Sequence, residues 1–309
     1  MQPHSPPPTS APRRPRAIVG ALIAALLGLL LLAVPRLGPD PAPGIPLPSV
    51  DPSATILLAV GDIGYCGGTQ DEAVAKLAKS LPGTIALLGD IAYENGSALD
   101  YQRCFDPAWR PLMPRIRPAA GNHEYQTADA SAYFAEFGAS AGTPGEGWYS
   151  YDLHAWHVVV LNSSCEAVGG CGAGSPQLKW LQADLLAHPA ACTVAYWHHP
   201  RYSSGRHGDN PVTAALWSAL SAAGADLVLE GHDHDYERFA PIDGMRSFVV
   251  GTGGRSLYEL LRPPDRASQL RVNSSYGMLM LSLGTADYRW QFIPASGSSL
   301  TDAGTGQCR

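Results

Sequence analysis

Positive charge is scarce in this sequence. Its 21 Lys and Arg stand against 27 Asp and Glu, for a net charge of −6, so nothing prepares the chain to hold a nucleic-acid polyanion. No two of the six cysteines form a Cys-x-x-Cys pair, which argues against a zinc site built on thiolates. No segment repeats at a fixed period, as a solenoid or propeller would require. Charge is missing altogether from residues 17–34.

That last absence bears on location. An uncharged apolar run of about 18 residues is just long enough to cross a bilayer as a helix. Residues 1–16 form a Pro-rich tail with Arg13, Arg14 and Arg16, which favours a cytoplasmic N-terminus and translocation of the rest. The length of the run, and the lack of a small-x-small site directly after it, favour a retained single-pass anchor. A cleaved signal peptide is the alternative. Either way the remainder is exported, to the outer side of the cell membrane or into the medium. Residues 35–52, rich in Pro and Gly, read as a linker to a domain over 53–309. Six cysteines in an exported chain read as disulfides. Cys165 and Cys171 bracket a Gly-rich loop that they can close locally, and the other four are read as Cys66–Cys104 and Cys192–Cys308. Free buried thiols are the alternative.

Within the domain, short apolar runs alternate with helical patterns. Strands are expected at 55–60, 84–88, 116–120, 148–153, 156–161, 192–197 and 225–230. A helix is expected over 71–81, with Val74, Leu77 and Leu81 on one face. Ser175 and Pro176 supply an N-cap and first turn for a second, and Asn210-Pro211 cap a third that stops near Gly224. Runs at 247–250, 278–283 and 288–293 follow without helices between them, so a closing meander and mixed sheets are expected. The class is α/β.

Polar residues gather just after the strand ends, where open α/β sheets place their ligands. The chain presents Asp62, Asp90, Asn122, His198, and His232 with His234 at five such ends. Residues at i and i+2 of an extended segment face the same side, so His232 and His234 point together. A lone His-x-His pair is common on surfaces, and a lone Gly-Asp is ordinary turn chemistry. Five ends in one domain, each delivering Asp, Asn or His, are not. Carboxylate, amide and imidazole without thiolate suit Fe, Mn or Zn. A glycine precedes most of these residues, removing a Cβ where the backbone turns sharply.

In order, Gly61-Asp62-x-Gly64, Gly89-Asp90-x-x-Tyr93, Gly121-Asn122-His123-Glu124, Val194-x-x-x-His198 and Gly231-His232-x-His234 resemble the calcineurin-like metallophosphoesterases. Tyr93, three residues after Asp90, is similar to the purple acid phosphatase branch. The resemblance spans 53–309 and implies a four-layer α/β/β/α sandwich of two mixed sheets flanked by helices. It also implies two metal ions, one on Asp62, Asp90, Tyr93 and His234, the other on Asp90, Asn122, His198 and His232, with Asp90 bridging. The fourth motif is one residue longer than the usual pattern, which leaves His199 beside His198; the latter, nearest the strand end, is favoured. A phenolate at Tyr93 would favour Fe(III) on the first site, with divalent Fe, Zn or Mn on the second. The implied reaction is hydrolysis of phosphate monoesters on a phosphorylated small molecule, an activated water attacking phosphorus in line. A phosphodiesterase or nucleotidase on the same centre is the alternative. By the same resemblance His123, with Glu124 to orient it, and His207 would contact phosphate or act as general acid. Arg201 and Arg206 are candidate phosphate forks. His154, His157 and His188 lie outside the pattern and read as structural or exposed. Gly251 to Gly254 reads as a tight turn lining the site.

Overall fold

The run that opens the domain packs on both of its faces. Leu57 and Ala59 face one core, while Ile56, Leu58 and Val60 face another, as expected for an unbroken apolar strand covered on two sides. The computed structural model describes residues 55–295 and 300–309. The expected tail, anchor and linker over 1–52 lie outside these. Among the described residues no helix is long and apolar enough to cross a membrane.

The strands, in chain order, are β1 (Thr55–Val60), β2 (Thr84–Leu88), β3 (Ile116–Ala119), β4 (Tyr149–Leu153), β5 (Trp156–Val160), β6 (Cys192–Tyr196), β7 (Leu227–Glu230), β8 (Tyr236–Phe239), β9 (Arg246–Val250), β10 (Ser268–Val272), β11 (Gly277–Leu283), β12 (Asp287–Pro294) and β13 (Asp302–Gln307). They form two sheets, ordered β13-β12-β11-β1-β2-β3 and β10-β8-β9-β7-β6-β5-β4. Between the sheets lie Leu57, Leu88, Val158, Val194, Leu229 and Phe248. Helix Gln70–Ser80 buries Val74, Ala75 and Ala78, and helix Ser131–Phe137 buries Tyr133 and Phe137, on the outer face of the first sheet. Helices Pro176–Ala187 and Ala214–Ala222 cover the second through Leu178, Leu181, Leu216, Trp217 and Leu220. This is the expected four-layer sandwich. Each fully buried Leu or Val contributes roughly 1.5–3 kcal/mol to it.

Parallel pairing sets the site. β1, β2 and β3 run parallel, as do β5, β6, β7 and β9. Their carboxyl ends meet at one edge of the sandwich, where Gly61 N–H donates to Val250 O (2.9 Å) and His232 N–H to Asp62 Oδ2 (3.0 Å) across the two sheets.

The expected helix caps form, with one difference. Ser175 Oγ accepts from Leu178 N–H. Asn210 Oδ1 accepts from Val212 N–H, but it opens a 3₁₀ turn over Pro211–Thr213, and the helix starts at Ala214. The closing meander holds for β11, β12 and β13 only. The 247–250 run joins the other sheet, parallel to β7. β8, β10 and β13 were not expected. β13 (Asp-Ala-Gly-Thr-Gly-Gln) carries no apolar alternation to betray it. Three disulfides, Cys66–Cys104, Cys165–Cys171 and Cys192–Cys308, account for every cysteine, and such bonds persist in oxidising compartments.

Candidate metal centre

Three strand ends turn into the cleft through unusual backbone. Asp62, Asp90 and His232 have φ of 61°, 50° and 69°, a left-handed region that non-glycine residues seldom enter. Each such residue costs of order 1–3 kcal/mol, and such strain clusters at functional sites. The neighbouring glycines serve mainly close approach. A Cβ on Gly121 would sit 2.2 Å from Asp90 Oδ1, and one on Gly231 2.8 Å from Leu88 O. The sequence places the sharp turns at the glycines, but at Asp62 and His232 the polar residue itself bears the left-handed backbone.

The side chains converge as two sets. In the first, Tyr93 Oη lies 2.9 Å from Asp62 Oδ1, 3.2 Å from Asp90 Oδ2 and 3.2 Å from His234 Nε2, which is 3.2 Å from Asp62 Oδ1. In the second, His198 Nε2 lies 3.2 Å from each of Asp90 Oδ2, Asn122 Oδ1 and His232 Nδ1. Asp90 belongs to both. Donor separations near 3 Å are those of ligands about one first-row ion at about 2 Å. Every member offers an oxygen or an imidazole nitrogen, and Asp62, Asp90, His198 and His234 are buried. This donor set fits metal ions.

The electrostatics agree. Burial opposes the charge on Asp90, but the imidazoles of His198 and His123 outweigh it and hold the carboxyl far below the usual range. Burial likewise opposes protonation of His198, yet Asp90, with help from Asp62, pushes it up to about 9. Burial, then His198 and His199, drive His232 far down. Burial, then the charges of Asp62 and Asp90, raise the Tyr93 phenol well above its ordinary value. A bound cation inverts the charge terms of this logic, drawing the phenol toward phenolate.

Residues 56–236 match the family model of the calcineurin-like phosphoesterases. The chain belongs to this family. Among curated relatives, Purple acid phosphatase 15 of Arabidopsis thaliana is 26% identical over 242 residues, covering 64% of this chain and 44% of the relative. Purple acid phosphatase 21 of the same plant is 28% identical over 274 residues, covering 78% and 61%. The chain thus spans about half the length of the curated relatives it matches. A purple acid phosphatase isolated from yellow lupin (Lupinus luteus) seeds superposes with a TM-score of 0.71 at 17% identity, covering 82% of this chain and 53% of that one, a likeness of fold. A site for two metal ions is typical of calcineurin-like phosphoesterases.

Other expected residues of this phosphoesterase fall on the rim, or elsewhere. His123 packs its ring on Tyr93 (4.5 Å), with Nε2 3.7 Å from Asp90 Oδ2. Its Nδ1 meets the Glu94 carbonyl. The expectation that Glu124 orients His123 is corrected. Glu124 is buried and its carboxylate accepts the N–H groups of Asp90 (2.9 Å), Ile91 (2.9 Å) and Gly121 (2.7 Å). It therefore fixes the two loops that carry Asp90 and Asn122. His207 lies with its ring 4.3 Å from that of His232. His199 donates or accepts at Ser163 Oγ (2.8 Å), and burial with His198 brings it down to about 3. Arg206 lies over Tyr258 on the rim (5.1 Å). Arg201 instead lies over Tyr202, which packs on Trp217 in the outer core, so it is not brought to the cluster. The Gly251–Gly254 turn does line the site, with Gly253 N–H bonded to Gly61 O and Arg255 N–H to Asp62 O.

Three further residues stand at the site without a motif to mark them in the sequence. Tyr258 stacks on His234 at 4.0 Å and 10°. Arg255 spans Tyr65 (4.3 Å) and Tyr93 (5.3 Å) and pairs with Glu94 (3.1 Å). Asp233, wholly buried between His232 and His234 in the chain, accepts from Ser203 Oγ (2.5 Å), His207 N (2.8 Å) and Gly208 N (3.3 Å). An acid between two histidines was the only signal for it. Beside Asn122, a groove of about 450 Å³ is lined by Tyr125, Ser163, Ser164, Glu166, His199 and Asn210.

Proposed function

We propose that this calcineurin-like phosphoesterase hydrolyses phosphate monoesters on a dinuclear metal centre. One observation carries the reading: two four-residue donor sets, each closed by contacts near 3 Å, share the single carboxylate of Asp90. Asp62, Asp90, Tyr93 and His234 would hold one ion, and Asp90, Asn122, His198 and His232 the other. When bound, such a pair supplies Lewis acidity toward a phosphoryl oxygen and an acidified water as nucleophile. The hard phenol oxygen of Tyr93 supports Fe(III) on the first site, with divalent Fe, Zn or Mn on the second.

The chain's own residues do the rest. His123 and His207 stand beside the two donor sets, where a protonated imidazole can pass its proton to the leaving alkoxide. Arg255 and Arg206 bring guanidinium groups to the rim, suited to hold phosphate oxygens as forks. Glu124 keeps the Asp90 and Asn122 loops in register through three backbone N–H groups. The groove beside Asn122, where Ser163, Ser164, Glu166 and Asn210 alternate with Cys165, Ala167 and Val212, would take the leaving group of a phosphorylated small molecule. The names of the relatives, acid phosphatases of plants and of Homo sapiens, support the monoester reading. Three disulfides support an extracytoplasmic location. The anchor over 17–34 is proposed from the sequence alone.

The test is a rate comparison on a monoester and a diester of one chromophore. The proposal expects the monoester to be favoured in kcat/KM by at least about tenfold, roughly 1.4 kcal/mol of transition-state preference. A diester preference would move the assignment to a phosphodiesterase on the same centre.

A further inference from the structure

A second cluster of ligating side chains lies well away from the cleft. His157 is the second residue of β5, opposite Thr193 of β6. His198 follows five residues further along, so His157 lies roughly 16 Å back toward the other end of the sheet at the usual strand rise. Its ring is buried, with carboxylates at both nitrogens: Nδ1 is 2.9 Å from Asp152 Oδ1 on β4, and Nε2 is 2.9 Å from Asp184 Oδ2. Asp184 stands near the end of helix Pro176–Ala187, and His188 follows four residues later at its C-cap. Side chains at that spacing share a helix face, and His188 Nδ1 lies 3.2 Å from Asp184 Oδ1. One ligand atom from each of His157, Asp184 and His188 lies within 4.8 Å of the others. Ser150 Oγ donates to Asp184 Oδ1 at 2.7 Å.

We propose that His157, Asp184 and His188 form a further metal site, independent of the catalytic cleft, that takes Zn²⁺ or a similar first-row divalent ion. Two imidazoles and a carboxylate, with no thiolate, match that class of ion. The site also carries the support such sites use, a carboxylate on the far nitrogen of a ligating histidine, here Asp152 on Nδ1 of His157. Tetrahedral ligands at about 2.1 Å from zinc are about 3.4 Å apart. His157 and His188 meet different oxygens of the Asp184 carboxylate, at 2.9 and 3.2 Å, and with one ligand atom from each of the three within 4.8 Å of the others, the ligands must draw together by at most about 1.4 Å to share one ion. The His157 and His188 rings are near parallel, 12° apart with centroids at 4.9 Å. His188 must therefore turn to aim a nitrogen at the ion, which its half-exposed position permits. That exposure also gives an entry path and room for a water as fourth ligand. The ion would join the edge hairpin of β4 and β5 to the end of the helix that covers it.

The test counts Zn²⁺ on the purified full chain after equilibrium dialysis, with wild type beside His188→Ala. The variant should bind one equivalent fewer, lose the part of the Zn²⁺-dependent rise in Tm that belongs to this site, and keep its phosphoesterase activity. His188 is half exposed, so the variant should fold. Asp152→Asn should retain the site but weaken it about 10–100-fold. Unchanged stoichiometry in His188→Ala, or unchanged affinity in Asp152→Asn, would overturn the proposal and leave an ion-paired histidine cluster.

Discussion

Replacing Asp233 with alanine should slow turnover while leaving the metal centre filled. The carboxylate is wholly buried and holds one loop through Ser203 Oγ, His207 N and Gly208 N. That loop carries the His207 ring to 4.3 Å from His232. Hydrogen bonds to a charged acceptor contribute roughly 1.5–3 kcal/mol each. Alanine removes three and leaves two peptide N–H groups and a hydroxyl without their acceptor. If water recovers half of this, about 3 kcal/mol of preference for the docked loop is lost, about two powers of ten in population. A positioned general acid contributes about 10²–10⁴-fold. We therefore expect kcat on a monoester to fall about 10–100-fold in Asp233→Ala, short of a full loss of His207. The decisive assay is a double-mutant cycle with His207→Ala, with metal content measured on all four proteins. Because Asp233 acts through His207, the double variant should be no slower than His207→Ala alone. If the two effects multiply, or metal leaves with the first substitution, Asp233 serves the ligand strand instead of the loop.

Other outcomes follow from the same geometry. Asp71 is buried and accepts from Gly64 N (2.9 Å) and Trp109 Nε1 (2.8 Å), and burial pushes its carboxyl up to about 7. The folded chain then keeps a proton that the unfolded chain releases above about pH 4, so stability falls as pH rises from about 4 to about 7, by at most about 1.4 kcal/mol per unit. Asp71→Asn should flatten this decline in urea melts across that window; an unchanged slope would show that Asp71 titrates normally. If Tyr93 binds Fe(III), the oxidised protein should show a visible charge-transfer band that Tyr93→Phe removes, and a colourless active enzyme holding only zinc or manganese would reject iron. His198→Asn should lose one ion and with it most of the activity, whereas His199→Asn should keep both ions; the reverse pattern would exchange their roles.

The strand ends were legible because chemistry and secondary structure coincide there. An apolar run that stops at Gly-Asp, Gly-Asn-His or Gly-His-x-His marks both the strand and its polar terminus, which placed Asp62, Asp90, Asn122, His232 and His234 at strand ends, and the run 192–197 placed His198 at another. The sandwich followed from the same runs. What stayed hidden depends on contacts that no local pattern encodes. Glu124 looked like a partner for the adjacent His123, yet its carboxylate reaches back to the N–H groups of Asp90 and Ile91, more than thirty residues earlier. Arg201 and Arg206 were equivalent loop arginines by sequence, and only the packing of Tyr202 on Trp217 draws one of them away. Arg255 and Tyr258 follow a glycine turn in an irregular segment, where periodicity says nothing. β13, built of small and polar residues, pairs with β12 through its backbone.

The most direct test of the account is metal analysis of the wild-type chain and of Asp90→Ala, with monoesterase activity measured on the same samples. Sharing of Asp90 between the two donor sets predicts two ions per chain at the cleft in the wild type, and joint loss of both ions and of activity in the variant. An Asp90→Ala protein that keeps its cleft ions, or that still turns over substrate, would contradict the dinuclear centre.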